Sequence, residues 1–189
     1  MITILPYNPT WRDEFVSIGV PLRQALGDLA LRIDHIGSTA VPGLAAKDVI
    51  DVQITVRGLD PVVEEALRRT GYERLAHITQ DHVPPGGVPD PAEWTKWMFN
   101  PPVSARATNV HVRLEGRANQ RYPLLFRDYL RAHPATAEAY ALVKQGLVAH
   151  RFDDAEAYYD VKDPVCDIVM GGAEVWATAT GWVLGSSDC

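Results

Sequence analysis

Cysteine is scarce. The two present, Cys166 and Cys189, have neither zinc-ligand spacing nor the look of a disulfide framework. Positive charge is also in deficit, with a net charge of −6, and a broad nucleic-acid surface would need a basic face. No apolar run approaches the ~18 residues that span a bilayer. Residues 1–7 lack a basic region followed by an apolar core, so no export signal is expected. Repeats and low-complexity segments are absent. These absences point to a cytoplasmic protein whose partners are a nucleotide and a small-molecule substrate, with no nucleic acid and no membrane. With 47% apolar and 22% charged residues over 189 positions, the chain has enough apolar material for the core of one domain.

What is present is a sequence of strand and helix signals. Residues 2–5 read as a short edge strand. Asn8 and Pro9 supply a helix cap and a first-turn proline. Trp11, Phe15, Ile18, Leu22 and Leu26 then form one apolar face, which Gly27 ends, and Pro21 should kink or divide that helix. Strands are expected over 29–36 and 49–56, and a helix from Asp60-Pro61 to Thr70. Residues 77–92 are rich in proline and glycine and fit no periodic pattern, which reads as a lid or mobile loop. Two further strands, Trp94 to Asn100 and Asn109 to Leu114, precede helices over 119–133, 135–149 and 154–180, broken at Pro134 and near Pro164. The fold class is α+β, one domain over 1–189. A small mixed β-sheet flanked by helices occupies 1–116, and a helical C-terminal half, 117–189, packs on it.

The chemistry concentrates in His35-Ile36-Gly37-Ser38-Thr39-Ala40-Val41-Pro42-Gly43-Leu44 and in Val49 to Ile54. A Gly37-Ser38 turn offers backbone N–H groups to a phosphate. Asp51 lies in a run of Val and Ile, where a carboxylate is costly unless it finds a cation or a partner. Gln53 is one alternation along on the same face. His111 and Arg113 share a face of a later strand. Asp34 and His35 alternate, so only one of them can point at the site. Lys47, four residues before Asp51, either neutralises phosphate or is a solvated loop residue.

The block Asp34 to Lys47, with Ile50-Asp51-Val52-Gln53, resembles the signature of the GrpB family. The resemblance continues through Asn109 to Arg113, through Leu125 to Arg131, and through Tyr158 with Lys162. It implies a nucleotidyltransferase-like fold, and with it transfer of a nucleotidyl group from an NTP to a small acceptor. A divalent metal, Mg²⁺ or Mn²⁺, would bridge the phosphates and a carboxylate. Asp51 would then hold the metal and His111 would be its ligand or a general base. Gly37, Ser38, Lys47, Gln53, Arg113, Arg127, Tyr158 and Lys162 would contact substrate or phosphate.

Two departures keep alternatives open. Gln53 stands where the superfamily usually places a second acid, which suits a nucleotide- or ligand-binding protein without transfer chemistry. Imidazoles beside Asp51 suit Zn²⁺, which makes His35, Asp51 and His111 the ligands of a possible single-metal hydrolase. Plainer readings stand beside these: a tight turn at Gly37, a hydrogen-bonded sheet histidine at 111, ion pairing at Arg127, and a last helix tied down by Tyr158 and Lys162.

Overall fold

Trp11, Phe15, Leu22 and Leu26 lie buried along one face of the first helix, α1 (Trp11–Leu26), in the computed structural model. The structure describes residues 2–150 and 155–189. Thr10, not Asn8, holds the cap position. Asn8 Oδ1 instead accepts hydrogen bonds from the Thr10 backbone N–H at 3.0 Å and from its hydroxyl at 2.9 Å. Pro21 sits inside α1 without dividing it.

Five strands follow: β1 (Ala30–Ile36), β2 (Ile50–Val56), β3 (Glu73–Arg74), β4 (Lys96–Asn100) and β5 (Thr108–Leu114). They form one mixed sheet in the order β1-β2-β5-β4-β3, with β2 and β5 parallel and the other pairs antiparallel. A helix, α2 (Pro61–Arg69), follows β2, and α3 (Ala118–Ala132), α4 (Pro134–Ala149) and α5 (Ala155–Thr180) complete the chain. This is the α+β architecture with a mixed sheet and a helical C-terminal half. Residues 2–5 contribute one bridge, Leu5 to Ala46, rather than a strand. The helix α5 runs unbroken through Pro164. The helix start expected at residue 154 lies outside the described residues. Among the described residues no helix is long and apolar enough to cross a membrane.

Strand alternation divides the sheet into two unlike faces. Ile33, Ile50, Val52, Ile54, Val110 and Val112 join residues of α1 and α2 in one apolar cluster. Asp51, Gln53 and Thr55 project from the opposite face, in register with Asn109, His111 and Arg113 of β5. That polar face is covered by α3. A second apolar cluster joins α3, α4 and α5 to Val41, Leu44 and Ala45 from the segment after β1.

The irregular segment before β4 is anchored by charge. Asp81 accepts hydrogen bonds from Arg113 Nε at 2.8 Å and Nη2 at 2.9 Å, from Lys96 Nζ at 2.6 Å and from Asn119 Nδ2 at 3.0 Å. Burial opposes its ionisation, but Arg113 and Lys96 outweigh that and hold its carboxyl well below the usual aspartate range. Such a group stabilises the fold above its unfolded pKa of about 3.9, and that contribution is lost as pH falls toward the folded value. Asp81→Asn should cost about 3–5 kcal/mol by chemical denaturation at neutral pH, because Arg113 and Lys96 are left buried without their anion. The variant should also lose less stability on acidification than the parent. A cost under about 1 kcal/mol, the range of exposed pairs, would contradict this account.

Candidate functional site

The Gly-Ser turn sits where β1 ends against the start of β2. Gly37 has φ +72°, and Ser38–Ala40 form one 3₁₀ turn. A Cβ on Gly37 would fall 2.3 Å from Asp51 Oδ2, so both the backbone angle and the closeness of the carboxylate require glycine. The back of the turn is tied to α3. Arg127 Nη1 donates to the His35 carbonyl at 3.0 Å, and Arg131 donates to the Ala40 carbonyl at 2.8 Å and 3.0 Å.

In front of the turn lies a cavity of about 440 Å³. Of the residues expected from the sequence, Gly37, Ser38, Lys47, Asp51, His111, Tyr158 and Lys162 line it. Lys96, Asn109, Tyr122, Tyr140 and Lys144 line it too, and sequence reasoning missed their role. The chain has four lysines, Lys47, Lys96, Lys144 and Lys162, and all four line this cavity. No arginine does. Lys47 Nζ lies over the Tyr159 ring, 4.5 Å from its centroid, and donates to the Tyr159 hydroxyl.

Lys144 is 2% exposed, with its Nζ 2.9 Å from Ser38 Oγ and 2.5 Å from the Ala45 carbonyl oxygen. A signal for it was present in the sequence. Ala137, Tyr140, Ala141, Lys144 and Leu147 are the buried stripe of α4, so the lysine interrupts an otherwise apolar face. Burial, aided by the charges of Lys162 and Lys47, lowers its pKa to about 7.

Asp51 Oδ1 accepts from Asn109 Nδ2 at 2.8 Å and lies 3.9 Å from His111 Nε2. Burial acts to raise its pKa, but His111, Asn109 and Lys47 outweigh that and keep the carboxyl ionised. Burial, and then the charge of Arg113, lower the pKa of His111, which is neutral at pH 7. Two buried polar atoms of lining residues, the Tyr158 hydroxyl and His111 Nδ1, have no hydrogen-bond partner among the described residues.

Four expected site residues are used elsewhere. His35 pairs in register with Val52, which puts it on the opposite sheet face from Asp51, stacked on Phe15 at 4.7 Å and bonded to Thr39 Oγ1 at 3.0 Å. Burial lowers its pKa to about 4. Gln53 is under α3, donating to the Gln120 carbonyl at 2.9 Å and accepting from Arg113 Nη1 at 2.7 Å. Arg113 is otherwise occupied by Asp81 and lines an adjoining cavity instead. Arg127 is bonded to Asp128 and Asp188 as well as to the His35 carbonyl.

The donors present therefore do not build the three-ligand metal site of His35, Asp51 and His111. Asp51 carries the one carboxylate lining the cavity among the described residues. Among the described residues, no three His, Cys, Asp or Glu side chains gather to hold an ion.

The Gly37–Asp51 contact can be separated from the cost of the backbone angle. Gly43 also has a positive φ, +81°, but a Cβ there meets nothing within 4 Å. Gly43→Ala should cost about 1–2 kcal/mol, the left-handed backbone alone. Gly37→Ala should cost more in chemical denaturation, and in a double-mutant cycle the excess should shrink when Asp51→Ala is added. Equal costs for the two glycines would contradict the contact.

Comparison with known proteins agrees with the sequence signature. The family model described as "GrpB protein" matches residues 1–171. The chain is 40% identical to a protein named dephospho-CoA kinase from Mycolicibacterium paratuberculosis, over 96% of this chain and 48% of that protein. It is 38% identical to the UPF0157 protein PA4798 of Pseudomonas aeruginosa, over 91% of this chain and 67% of that protein. The crystal structure of the conserved protein GrpB from Enterococcus faecalis superposes with a TM-score of 0.74 at 27% identity, covering 92% of this chain and 99% of that one. The chain thus spans about half the length of the mycobacterial relative and nearly all of the solved GrpB structure. By sequence and by fold, it belongs to the GrpB family.

Proposed function

We propose that the cavity binds a nucleoside triphosphate and that the protein transfers its nucleotidyl group to a small-molecule acceptor. The observation that carries this reading is the confinement of all four lysines to one cavity with aromatic walls. An ammonium is a compact point charge on a flexible stem, suited to phosphate oxygens whose positions change during a reaction. Tyr122, Tyr140, Tyr158 and Tyr159 offer faces and hydroxyls to a base and ribose. Ser38 and the Gly37 backbone meet the phosphates, Lys47 and Lys162 neutralise charge that develops on them, and His111, neutral at pH 7, is the base for an acceptor hydroxyl. A Mg²⁺ or Mn²⁺ carried in on the phosphates would find Asp51 as its protein ligand. Gln53 in place of an acid favours a second reading, nucleotide binding without transfer. Release of pyrophosphate separates the two.

The kinase named for the mycobacterial relative is a property of a protein about twice as long, and this chain lacks the glycine-rich lysine loop of P-loop kinases. The phosphate seat argued for here is the Gly37-Ser38 turn instead.

A thermal-shift titration with each NTP, in EDTA and in Mg²⁺, tests the reading. At 100 times its Kd a ligand adds about 2.7 kcal/mol to stability, or roughly 5–10 °C for a chain of this size. A rise in EDTA is expected, because lysines rather than a protein-held ion carry the opposing charge. Lys162→Met should weaken binding about 10- to 100-fold, the worth of one charge-assisted hydrogen bond. A rise seen only with metal would return the charge-neutralising role to the ion, and no rise with any nucleotide would end the proposal.

A further inference from the structure

Ser38 and Lys144 form a pair that phosphate binding alone does not require. The hydroxyl and the amine are 2.9 Å apart in the cavity wall, and the Ala45 carbonyl accepts a second hydrogen bond from the same amine at 2.5 Å. Lys144 Nζ donates to Ser38 Oγ and to the Ala45 carbonyl, and once deprotonated the same amine has a lone pair at that distance to receive the Ser38 proton. A permanently charged lysine buried to 2% exposure would instead call for an anion. Among the described residues no carboxylate is hydrogen-bonded to Lys144. The groups facing it are Lys47 from the segment before β2, Lys162 and Cys166 from α5, and the Tyr140 ring of its own helix, 4.5 Å from Nζ.

We infer that Ser38 is a nucleophile and Lys144 the base that activates it, so that the cavity forms a covalent phospho-serine ester during turnover. This rests on the nucleotide reading above for the identity of the electrophile, but not for the chemistry of the pair. Ser38 Oγ attacks phosphorus. An O–P bond forms, the bond from phosphorus to the leaving pyrophosphate breaks, and the hydroxyl proton moves to Lys144 Nζ. An acceptor hydroxyl then attacks the same phosphorus and its own proton passes to His111. The Ser38 O–P bond breaks, and Lys144 returns its proton to Ser38 Oγ. The Gly37 turn, fixed by its approach to Asp51 and by Arg131 behind it, holds Oγ at the cavity wall. The lysine pKa of about 7 keeps a large fraction of the amine unprotonated at neutral pH, as a general base requires.

A fluorophosphonate reports this chemistry directly. Attack by Ser38 releases fluoride and leaves a phosphonyl ester on the residue, which peptide mass spectrometry locates. The full chain should be labelled at Ser38, with a rate that rises through about pH 7 and then levels. That profile needs no variant and is not expected of a hydroxyl held only for positioning. Ser38→Ala should abolish the label. Lys144→Arg keeps a cation and a donor but cannot give up its proton, and should slow labelling about 100-fold or more.

No adduct at Ser38, a rate independent of pH between 6 and 9, or unchanged labelling of a folded Lys144→Arg protein would each overturn the inference. Nucleotide thermal shifts on the same preparations separate the two claims. Binding without labelling removes the nucleophile and leaves the nucleotide reading standing. Labelling without binding supports the pair and removes the nucleotide.

Discussion

A sheet face that is polar and yet covered must have its groups matched one by one, because an unpaired buried polar group costs about 1–3 kcal/mol. Most of this structure follows from that constraint on the face carrying Asp51, Gln53, Asn109, His111 and Arg113. Under α3 most of these groups are matched, although Thr55 Oγ1 and Asn119 Oδ1 have no partner among the described residues. Gln53 bridges Arg113 to the Gln120 carbonyl, and Asp81 reaches in from an irregular segment to neutralise Arg113 and Lys96. The cavity opens at the Asp51, Asn109 and His111 end of the same face. The Tyr158 hydroxyl and His111 Nδ1, without a partner among the described residues, belong to residues that line it.

Charge is divided the same way along the chain. Arg106, Arg113, Arg117, Arg127 and Arg131 fasten elements to one another through carboxylates or carbonyls. Their planar forks suit fixed, bidentate partners. All four lysines line the cavity, Lys96 being also paired with Asp81 and Lys162 with Asp163. With Asp51 the single lining carboxylate among the described residues, the cavity is a lysine-rich, aromatic-walled recess in a protein whose net charge is −6. An anionic ligand would therefore be drawn to that recess rather than to the surface at large.

The sequence displayed the strands and helices well because alternation and helical periodicity are local signals. Asp51, the Gly37-Ser38 turn and Lys47 were legible as cavity residues for the same reason, since each departs from its surroundings within a few residues. What was not legible depends on the layer above. Alternation puts Gln53 on the face of Asp51, but only the position of α3 shows that it is sealed beneath the Gln120 carbonyl. His35 was excluded from the site by its stacking on Phe15, a contact between α1 and β1. Lys144 interrupts an apolar stripe that the sequence already shows, but its contact with Ser38 depends on how α4 packs. Pro164 looked like a break, yet α5 continues past it.

The central claim is that the lysine-lined cavity holds the phosphates of a nucleotide. A crystal structure of the protein with an NTP analogue carrying a methylene between its α and β phosphorus atoms tests it most directly. The account predicts phosphate oxygens within hydrogen-bond distance of Ser38, Lys47 and Lys162, and the base against the tyrosine wall. An analogue bound elsewhere, or a cavity that stays free of it at saturating concentration, would contradict the account.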